Sequence, residues 1–142
     1  MADTRVQLEV EDWVRLHWMP AQYGTKFSRE RLALRSGGVF DFDAVSEDHS
    51  IVATISTSGS KTSGGKYAVG KMLKLPSDML FLTLVKNAQK RIIVLTEQDM
   101  CDQCNKEAAG GRVPPEIQFV CACIPDDLRA RLVVARQKAS SE

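Results

Sequence analysis

Three short strand patterns follow one another closely in residues 31–57, and beyond them apolar strands alternate with helices. Residues 31–35 alternate apolar and charged side chains, as a half-buried strand does, and a Gly-Gly pair then supplies a turn. A second strand pattern covers residues 39–45, and the β-branched residues 51–57 form a third. The polar residues 46–50 between these two patterns are typical of a hairpin tip. We therefore expect three strands joined as a meander.

Helices are predicted before and after the meander. Thr4 opens a capping box, apolar residues follow at helical spacing as far as His17, and Pro20 and Gly24 end this first helix. After the meander, a helix is predicted over 66–75, where it stops at Pro76. The apolar run over 79–85 fits either a strand or a helix, and a strand is favoured. A buried strand over 91–95, a helix over 96–110, a strand over 117–124 and a helix that begins at Pro125 and buries Leu128, Leu132 and Val133 follow in that order. This order predicts an α/β fold in which helices flank a mixed β-sheet, formed by a single domain of residues 1–142.

Composition narrows the class of protein. Apolar residues make up 44% of the chain and charged residues 26%, as in globular proteins rather than disordered ones. No apolar run approaches the roughly 18 residues that a membrane helix needs, and residues 1–12 carry charges where a signal peptide is apolar. We therefore expect a cytoplasmic protein with reduced cysteines and no membrane partner. The net charge of +1 neither requires nor excludes a nucleic-acid partner.

The second and third strand patterns carry a family resemblance. Residues 40–45 read Phe-Asp-Phe-Asp-Ala-Val, and residues 51–56 read Ile-Val-Ala-Thr-Ile-Ser. This segment resembles the PD-(D/E)XK, or restriction-endonuclease-like, nuclease superfamily, in which an Asp on the second strand precedes a Glu-x-Lys on the third by about a dozen residues. In that superfamily the two carboxylates hold Mg²⁺ against the scissile phosphate, and the Lys orients or activates the attacking water. The resemblance covers residues 5–97 in element order and implies a restriction-endonuclease-like fold.

Two of the three catalytic side chains of the family pattern are replaced in this sequence. Asp43 falls at the family's Asp position, whereas the Glu position falls on Thr54 and the Lys position on Ser56. Thr54 and Ser56 share one strand face, as the family geometry requires, but a hydroxyl is neither a strong Mg²⁺ ligand nor a cation. The leading hypothesis is therefore a non-catalytic binding or regulatory module with a degenerate active site and no cofactor. Its partner is nucleic acid, another protein or a second copy of the chain in a homodimer.

A second hypothesis is a Mg²⁺- or Mn²⁺-dependent nuclease with a rearranged site. In this hypothesis Asp43 binds the metal, Asp41 serves as the second carboxylate, and Lys61 or Lys66 replaces the missing lysine. Strand alternation places Asp43 on one face with Val39, Asp41 and Val45, and places Phe40, Phe42 and Ala44 on the other.

The loop over residues 59–66, Gly-Ser-Lys-Thr-Ser-Gly-Gly-Lys, lies between a predicted strand and a predicted helix. A Walker A loop has this position, but here a serine stands at its first glycine and a tyrosine where Ser or Thr must bind Mg²⁺. Nucleotide hydrolysis is therefore not expected. Lys61, Lys66 and Lys71 remain candidate phosphate-binding residues near a helix N-terminus, and the alternative is a plain loop followed by a solvated helix face.

The four cysteines form the pairs Cys101-x-x-Cys104 and Cys121-x-Cys123. That count suits a four-thiolate zinc site, and a zinc-stabilised interaction module is the third hypothesis. However, structural zinc usually takes such pairs from tight turns, whereas Cys101 and Cys104 fall on a predicted helix. Cys121 and Cys123 continue the alternation of the last strand, which predicts small core residues on one face. Ordinary packing is thus favoured over Zn²⁺ binding and over a redox dithiol.

Overall fold

Five strands form one mixed sheet in the computed structural model, which describes the backbone of residues 5–58 and 69–141 and the side chains of 5–58 and 75–135. The strands are β1 Phe27–Ala33, β2 Val39–Ser46, β3 Ile51–Ser56, β4 Lys90–Leu95 and β5 Ile117–Cys121, and they lie side by side in that order. The first three are antiparallel neighbours, whereas β3, β4 and β5 are parallel. The predicted meander is confirmed.

Helices connect the parallel strands and cover both faces of the sheet. They are α1 Arg5–Trp13, a π-helix Val14–Trp18, α2 Met19–Tyr23, α3 Val69–Leu84, α4 Gln98–Ala109 and α5 Asp126–Ser141. Because parallel strands cannot be joined by a tight turn, α3 links β3 to β4 and α4 links β4 to β5. The predicted α/β fold with a mixed sheet between helices is confirmed.

Two apolar cores lie on opposite faces of the sheet. The first contains Val10 of α1, Leu132 of α5 and the strand residues Ala53 and Ile92. The second lies under α3 and α4, and its members include Leu82, Met100, Val52, Ile93 and Leu95. Alternate residues of β4 therefore enter different cores, so this strand is buried on both faces, as its uninterrupted apolar run predicts.

The first helical segment passes through Pro20 and ends at Gly24. A π-helix precedes the proline, and the Met19 N–H donates to the carbonyl of Val14. Pro20 falls in the first turn of α2, where its missing N–H costs little, so the predicted stop at this residue is wrong. Gly24 has φ of 70°, the left-handed conformation that a glycine adopts readily, and its predicted role as the end of the helix is confirmed.

α3 continues through Pro76, where the sequence predicts that a helix ends. Pro76 lies inside α3 and does not end a helix, so that prediction is wrong. Residues 79–85, for which a strand is favoured over a helix, form the second half of α3 as far as Leu84, so the structure selects the helical alternative. Leu82 is fully buried, and Phe81 stacks on Phe40 of β2 with ring centroids 4.2 Å apart. This apolar contact with the sheet stabilises the helix beyond the proline and outweighs the loss of one backbone hydrogen bond.

The outer elements differ from their predicted bounds. β1 begins at Phe27 rather than at residue 31, and β5 ends at Cys121, so Cys123 lies beyond the last strand. Asp126 and Asp127 occupy the first turn of α5, as expected at the positive end of a helix. Val133 is 41% exposed, which contradicts its predicted place on the buried face.

The hairpin tip between β2 and β3 is held by Asp48. Its Oδ1 accepts hydrogen bonds from the Ser50 hydroxyl at 2.7 Å, from the Ser50 N–H at 3.0 Å and from the Ser46 hydroxyl at 2.8 Å. The Ser46 hydroxyl in turn accepts a hydrogen bond from the N–H of Ile51 at 2.9 Å, where β3 begins. One carboxylate therefore fixes both ends of the turn.

These hydrogen bonds lower the pKa of Asp48 to about 2, and the bonds from Ser50 have the largest effect. Since the folded pKa lies below the unfolded value, this carboxylate stabilises the fold above pH of roughly 4 and loses that effect as the pH falls toward 2. We expect a side-chain NMR titration to show Asp48 ionised at pH 3, and Ser50→Ala to raise its pKa. A wild-type pKa near 4 would contradict the hydrogen bonding seen here.

None of the helices in residues 5–58 and 69–141 is both long and apolar enough to cross a membrane.

Candidate functional site

A β-bulge lies at Asp43, the one family position that keeps its acidic residue. Ser28 of β1 pairs with Val45 of β2, but the next pair along the two strands is Glu30 with Phe42. Two residues of β2, Asp43 and Ala44, therefore occupy the space opposite a single residue of β1. Bulges of this kind occur often beside functional sites, where they redirect a side chain.

The bulge reverses the alternation of side chains that the sequence predicts for β2. Phe42 and Val45 both enter the second core, whereas Ala44 enters the first. The sequence predicts Ala44 on the same face as Phe42 and Val45 on the opposite face from Phe42, and both predictions are wrong. The physical reason is the extra residue, since each inserted residue shifts all later side chains to the other face.

The carboxylate of Asp43 binds the backbone of the neighbouring strand. Its Oδ2 accepts a hydrogen bond from the N–H of Ile55 in β3 at 2.8 Å, and Ile55 is only 2% exposed. The regular pairing of β2 with β3 ends at Ala44 opposite Ala53, so the ladder is irregular at Asp43. Asp43 thus supplies the acceptor that a regular strand would offer through a carbonyl group.

The π-helix brings a cation to the same bulge. The Nη1 of Arg15 donates to the carbonyl oxygen of Asp43 at 3.1 Å, and its Nη2 forms a short ion pair with Asp12. Arg15 is 8% exposed, so its guanidinium is almost entirely enclosed. Sequence reasoning missed Arg15, because a single arginine within a helical pattern gives no sign of a bend in a distant strand.

Thr54 and Ser56 follow Val52 by alternation and therefore face the second core. Thr54, at the family's Glu position, is 3% exposed, and its Oγ1 is the buried side-chain oxygen without a hydrogen-bond partner in the described part of the chain. Ser56 is half-buried, and its Oγ accepts a hydrogen bond from the N–H of Ser58 at 3.4 Å. Neither side chain supplies the charge that the superfamily uses.

Thr54→Val is expected to raise the free energy of unfolding by about 1 kcal/mol. Valine has nearly the same shape and removes a buried hydroxyl that lacks a partner. Thr96→Val is the matched control, since Thr96 is equally buried but its hydroxyl lies 3.4 Å from the Ser56 carbonyl and 2.9 Å from Glu97 Oε2. Denaturant unfolding should show opposite signs for the two variants, and destabilisation by both would contradict this assignment.

The other proposed site residues do not join Asp43 in the described structure. Asp41 is exposed and pairs with Arg31, with 2.8 Å between Oδ1 and Nε. This hydrogen bond and the charge of Arg31 lower the pKa of Asp41. Lys61 and Lys66 lie outside the described residues, and Lys71 belongs to α3, but its side chain lies outside the described set.

Three residues that the sequence analysis did not select lie beside Ser56. The N–H of Thr96 donates to the Ser56 carbonyl at 3.2 Å, which places the end of β4 next to the end of β3. Thr96 also contacts Glu97, whose side chain is 7% exposed. Arg129 of α5 donates to the Thr96 carbonyl at 2.8 Å and lies 3.4 Å from Glu97 Oε2.

We call Asp43, Thr54, Ser56, Thr96 and Glu97 the carboxyl-edge site, because β3 and β4 both end there. A cavity of about 390 Å³ opens beside it, lined by Leu95, Thr96, Glu97, Gln98, Cys121, Ala122, Cys123 and Arg129. Open α/β sheets bind ligands at the carboxyl ends of their strands. The polar residues directly after the buried β4 are the sequence signal for this site, but the sequence predicts only a helix over 96–110 there.

The cysteines do not form the four-thiolate site of the zinc hypothesis. Cys101 of α4 and Cys121 at the end of β5 are joined as a disulfide, with Cα atoms 6.2 Å apart. Cys104 is buried and Cys123 is exposed. Within residues 5–58 and 69–141, no three His, Cys, Asp or Glu side chains are grouped closely enough to hold a metal ion.

Two further expectations about the cysteines are wrong. The Cys101–Cys121 bond contradicts the expectation that all four cysteines are reduced. The two residues are far apart in sequence, but the folded chain brings the helix residue next to the end of the strand. Cys121 and Cys123 are exposed rather than core residues, because β5 ends at Cys121 on the rim of the cavity. The predicted position of Cys101 and Cys104 on a helix is confirmed, and both side chains are buried there.

Comparison with known proteins adds no relative. No protein-family model matches the chain. No curated protein and no solved structure matches it either.

Proposed function

We propose that this protein is a non-catalytic binding module built on a restriction-endonuclease-like fold. The observation that carries the proposal is the engagement of Asp43, whose carboxylate accepts the Ile55 N–H within the sheet. A carboxylate that completes a strand ladder has less freedom to move onto a metal ion. The family's Glu position is the buried Thr54, which contributes an uncharged hydroxyl.

The partner that we propose is the phosphate backbone of a nucleic acid. β3 ends at Ser56, in the carboxyl-edge site, and the chain continues into the 59–66 loop with Lys61 and Lys66. Two lysines that follow such a strand end suit phosphate groups, because phosphate contacts depend on charge rather than on base sequence. In this proposal Asp43 holds the backbone of β3 in place at the carboxyl-edge site and takes no part in a chemical step.

Cleavage assays test the absence of catalysis. Single- and double-stranded DNA and RNA are incubated with the protein and Mn²⁺, alongside Asp43→Asn and Asp41→Asn. We expect no product above the metal-free reaction for any of the three proteins. Mn²⁺-dependent cleavage that is lost in Asp43→Asn but retained in Asp41→Asn would overturn the proposal, since only Asp43 lies in the carboxyl-edge site.

Gel-shift titrations at several salt concentrations test the partner. We expect Lys61→Ala/Lys66→Ala to weaken binding at low salt and to reduce the slope of log K against log salt by roughly 1 to 2, as the loss of two phosphate contacts requires. Lys26→Ala/Lys86→Ala is the control, since both lysines are exposed near the opposite edge of the sheet. Absent binding at low salt would instead favour a protein partner or a homodimer.

A metal-dependent nuclease with a rearranged site is the second candidate, and one observation favours it. Glu97 supplies a buried carboxylate at the carboxyl ends of the same strands, next to Thr96 and Ser56. In this candidate, Glu97 supplies the second carboxylate beside Asp43 in place of Thr54, and a lysine of the 59–66 loop supplies the cation in place of Ser56. Under this candidate the Mn²⁺ assay gives cleavage that both Asp43→Asn and Glu97→Gln abolish.

A further inference from the structure

Two of the four cysteines line the cavity beside the carboxyl-edge site, and one of these two is joined to a third cysteine. Cys121 and Cys123 line its wall, and Cys121 is joined to Cys101 in the first turns of α4. Glu97 and Arg129 line the same cavity and lie 3.4 Å apart. The bond therefore connects the beginning of α4 to the end of β5 at a surface opening.

The two sulfurs of this bond differ in access. Cys101 is 0% exposed, whereas Cys121 is exposed on the cavity wall. A thiolate attacks a disulfide along the line of the bond at whichever sulfur it can reach, so an attacking group from the cavity meets Cys121 first. Arg129, whose side chain is 38% exposed, provides a positive charge near the path of an incoming thiolate.

We propose that Cys101–Cys121 is a reversible disulfide that exchanges with low-molecular-weight thiols through the cavity, with Cys121 as the attacked sulfur. In the first step a thiolate RS⁻ forms a bond to Cys121 Sγ, the Cys121–Cys101 bond breaks, and Cys101 leaves as a thiolate that takes up a proton. In the second step another RS⁻ attacks the external sulfur of the mixed disulfide. RSSR leaves, and the Cys121 thiolate takes up a proton.

The remaining cysteines have different roles in this scheme. Cys123 is exposed on the same cavity and forms mixed disulfides of its own with an oxidised thiol. Cys104 is enclosed, and burial together with the nearby Glu107 charge raises its pKa to about 11. Because the thiolate is the reactive form, Cys104 remains unmodified and serves as an internal reference. This inference does not depend on nucleic-acid binding.

The test uses the full chain with Cys123→Ser, so that an adduct at the cavity can arise only from Cys121. The native protein is incubated with reduced and oxidised glutathione, quenched with acid, alkylated and digested with trypsin. Cys101 and Cys104 then lie together in peptide 92–106, whereas Cys121 lies in peptide 113–129. We expect glutathione on the Cys121 peptide, alkylated Cys101, and modification of Cys104 slower by at least about ten-fold.

Three results would overturn the proposal. The first is a Cys123→Ser chain that keeps all three of its remaining thiols free under oxidised glutathione, since the bond then does not form. The second is glutathione on peptide 92–106 as often as on peptide 113–129. The third is a disulfide that resists reduced glutathione in the native protein and yields only after unfolding. Cys121→Ser in the same background is the matched control, and its peptide 113–129 must carry no adduct.

Discussion

Asp43→Ala is expected to lower the free energy of unfolding by about 2 kcal/mol, the effect of removing a charged acceptor from a buried donor. The N–H of Ile55, which donates to Asp43 Oδ2 at 2.8 Å, is left without this partner inside the sheet. The Arg15 contact to the Asp43 carbonyl involves the backbone and survives the substitution. Guanidinium chloride unfolding followed by far-UV circular dichroism measures the loss.

Two further variants separate the hydrogen bond from the charge. Asp43→Asn keeps an oxygen that accepts the Ile55 N–H, so we expect it to lose about half as much stability as Asp43→Ala. Asp41→Ala removes an exposed carboxylate two residues away, and its effect should stay within about 0.5 kcal/mol. If Asp43→Ala were as stable as Asp41→Ala, the structural role of Asp43 would be wrong.

Loss of the Cys101–Cys121 bond is expected to lower the free energy of unfolding by about 3 kcal/mol, the chain-entropy value for a loop of this length. The two cysteines are 20 residues apart, and the bond closes α4 and the following connection into one loop. Cys101→Ala/Cys121→Ala is compared with the oxidised wild type by denaturant unfolding. Residual structure in the unfolded chain can only reduce this figure.

Reduction of the wild type provides the corresponding measurement without mutation. A phosphine reductant should shift the unfolding midpoint of the wild type to that of Cys101→Ala/Cys121→Ala and leave the double variant unchanged. Cys123→Ser should unfold like the wild type, since Cys123 is exposed and free. A wild type whose midpoint is the same with and without reductant would contradict a disulfide that stabilises the fold.

Much of the fold follows from local pattern, and the exceptions have a common cause. The meander, β4, α4 and α5 were predictable because their periodicity agrees with their final environment. The second half of α3 was not, because a short apolar run fits a buried strand and a buried helix equally well. Contact with Phe40 and the core decides that case, and a contact of this kind is a property of the tertiary structure.

The site was predictable only in part, for geometric reasons. The positions of Asp43, Thr54 and Ser56 on neighbouring strands follow from the hairpin and its turn. The bulge at Asp43 does not, because it depends on how β1 pairs with β2 and leaves no turn residue in the sequence. Glu97 falls within the helix predicted over 96–110, and its proximity to Ser56 arises from the parallel pairing of β3 and β4.

The pairing of Cys101 with Cys121 was likewise not predictable from the sequence. Spacing groups Cys101 with Cys104 and Cys121 with Cys123, whereas the structure pairs one member of each group. Sequence alone does not choose which two of the four cysteines pair. The choice follows from the position of α4 over the end of β5.

The engagement of Asp43 in the sheet is the central claim, and metal-dependent stability tests it most directly. A ligand that binds only the folded chain raises the unfolding midpoint, so a bound metal has a readout that does not require a substrate. Thermal unfolding of the wild type and Asp43→Asn is therefore measured with and without millimolar MnCl₂. We predict that Mn²⁺ leaves both midpoints unchanged. A midpoint that Mn²⁺ raises in the wild type but not in Asp43→Asn would contradict the account.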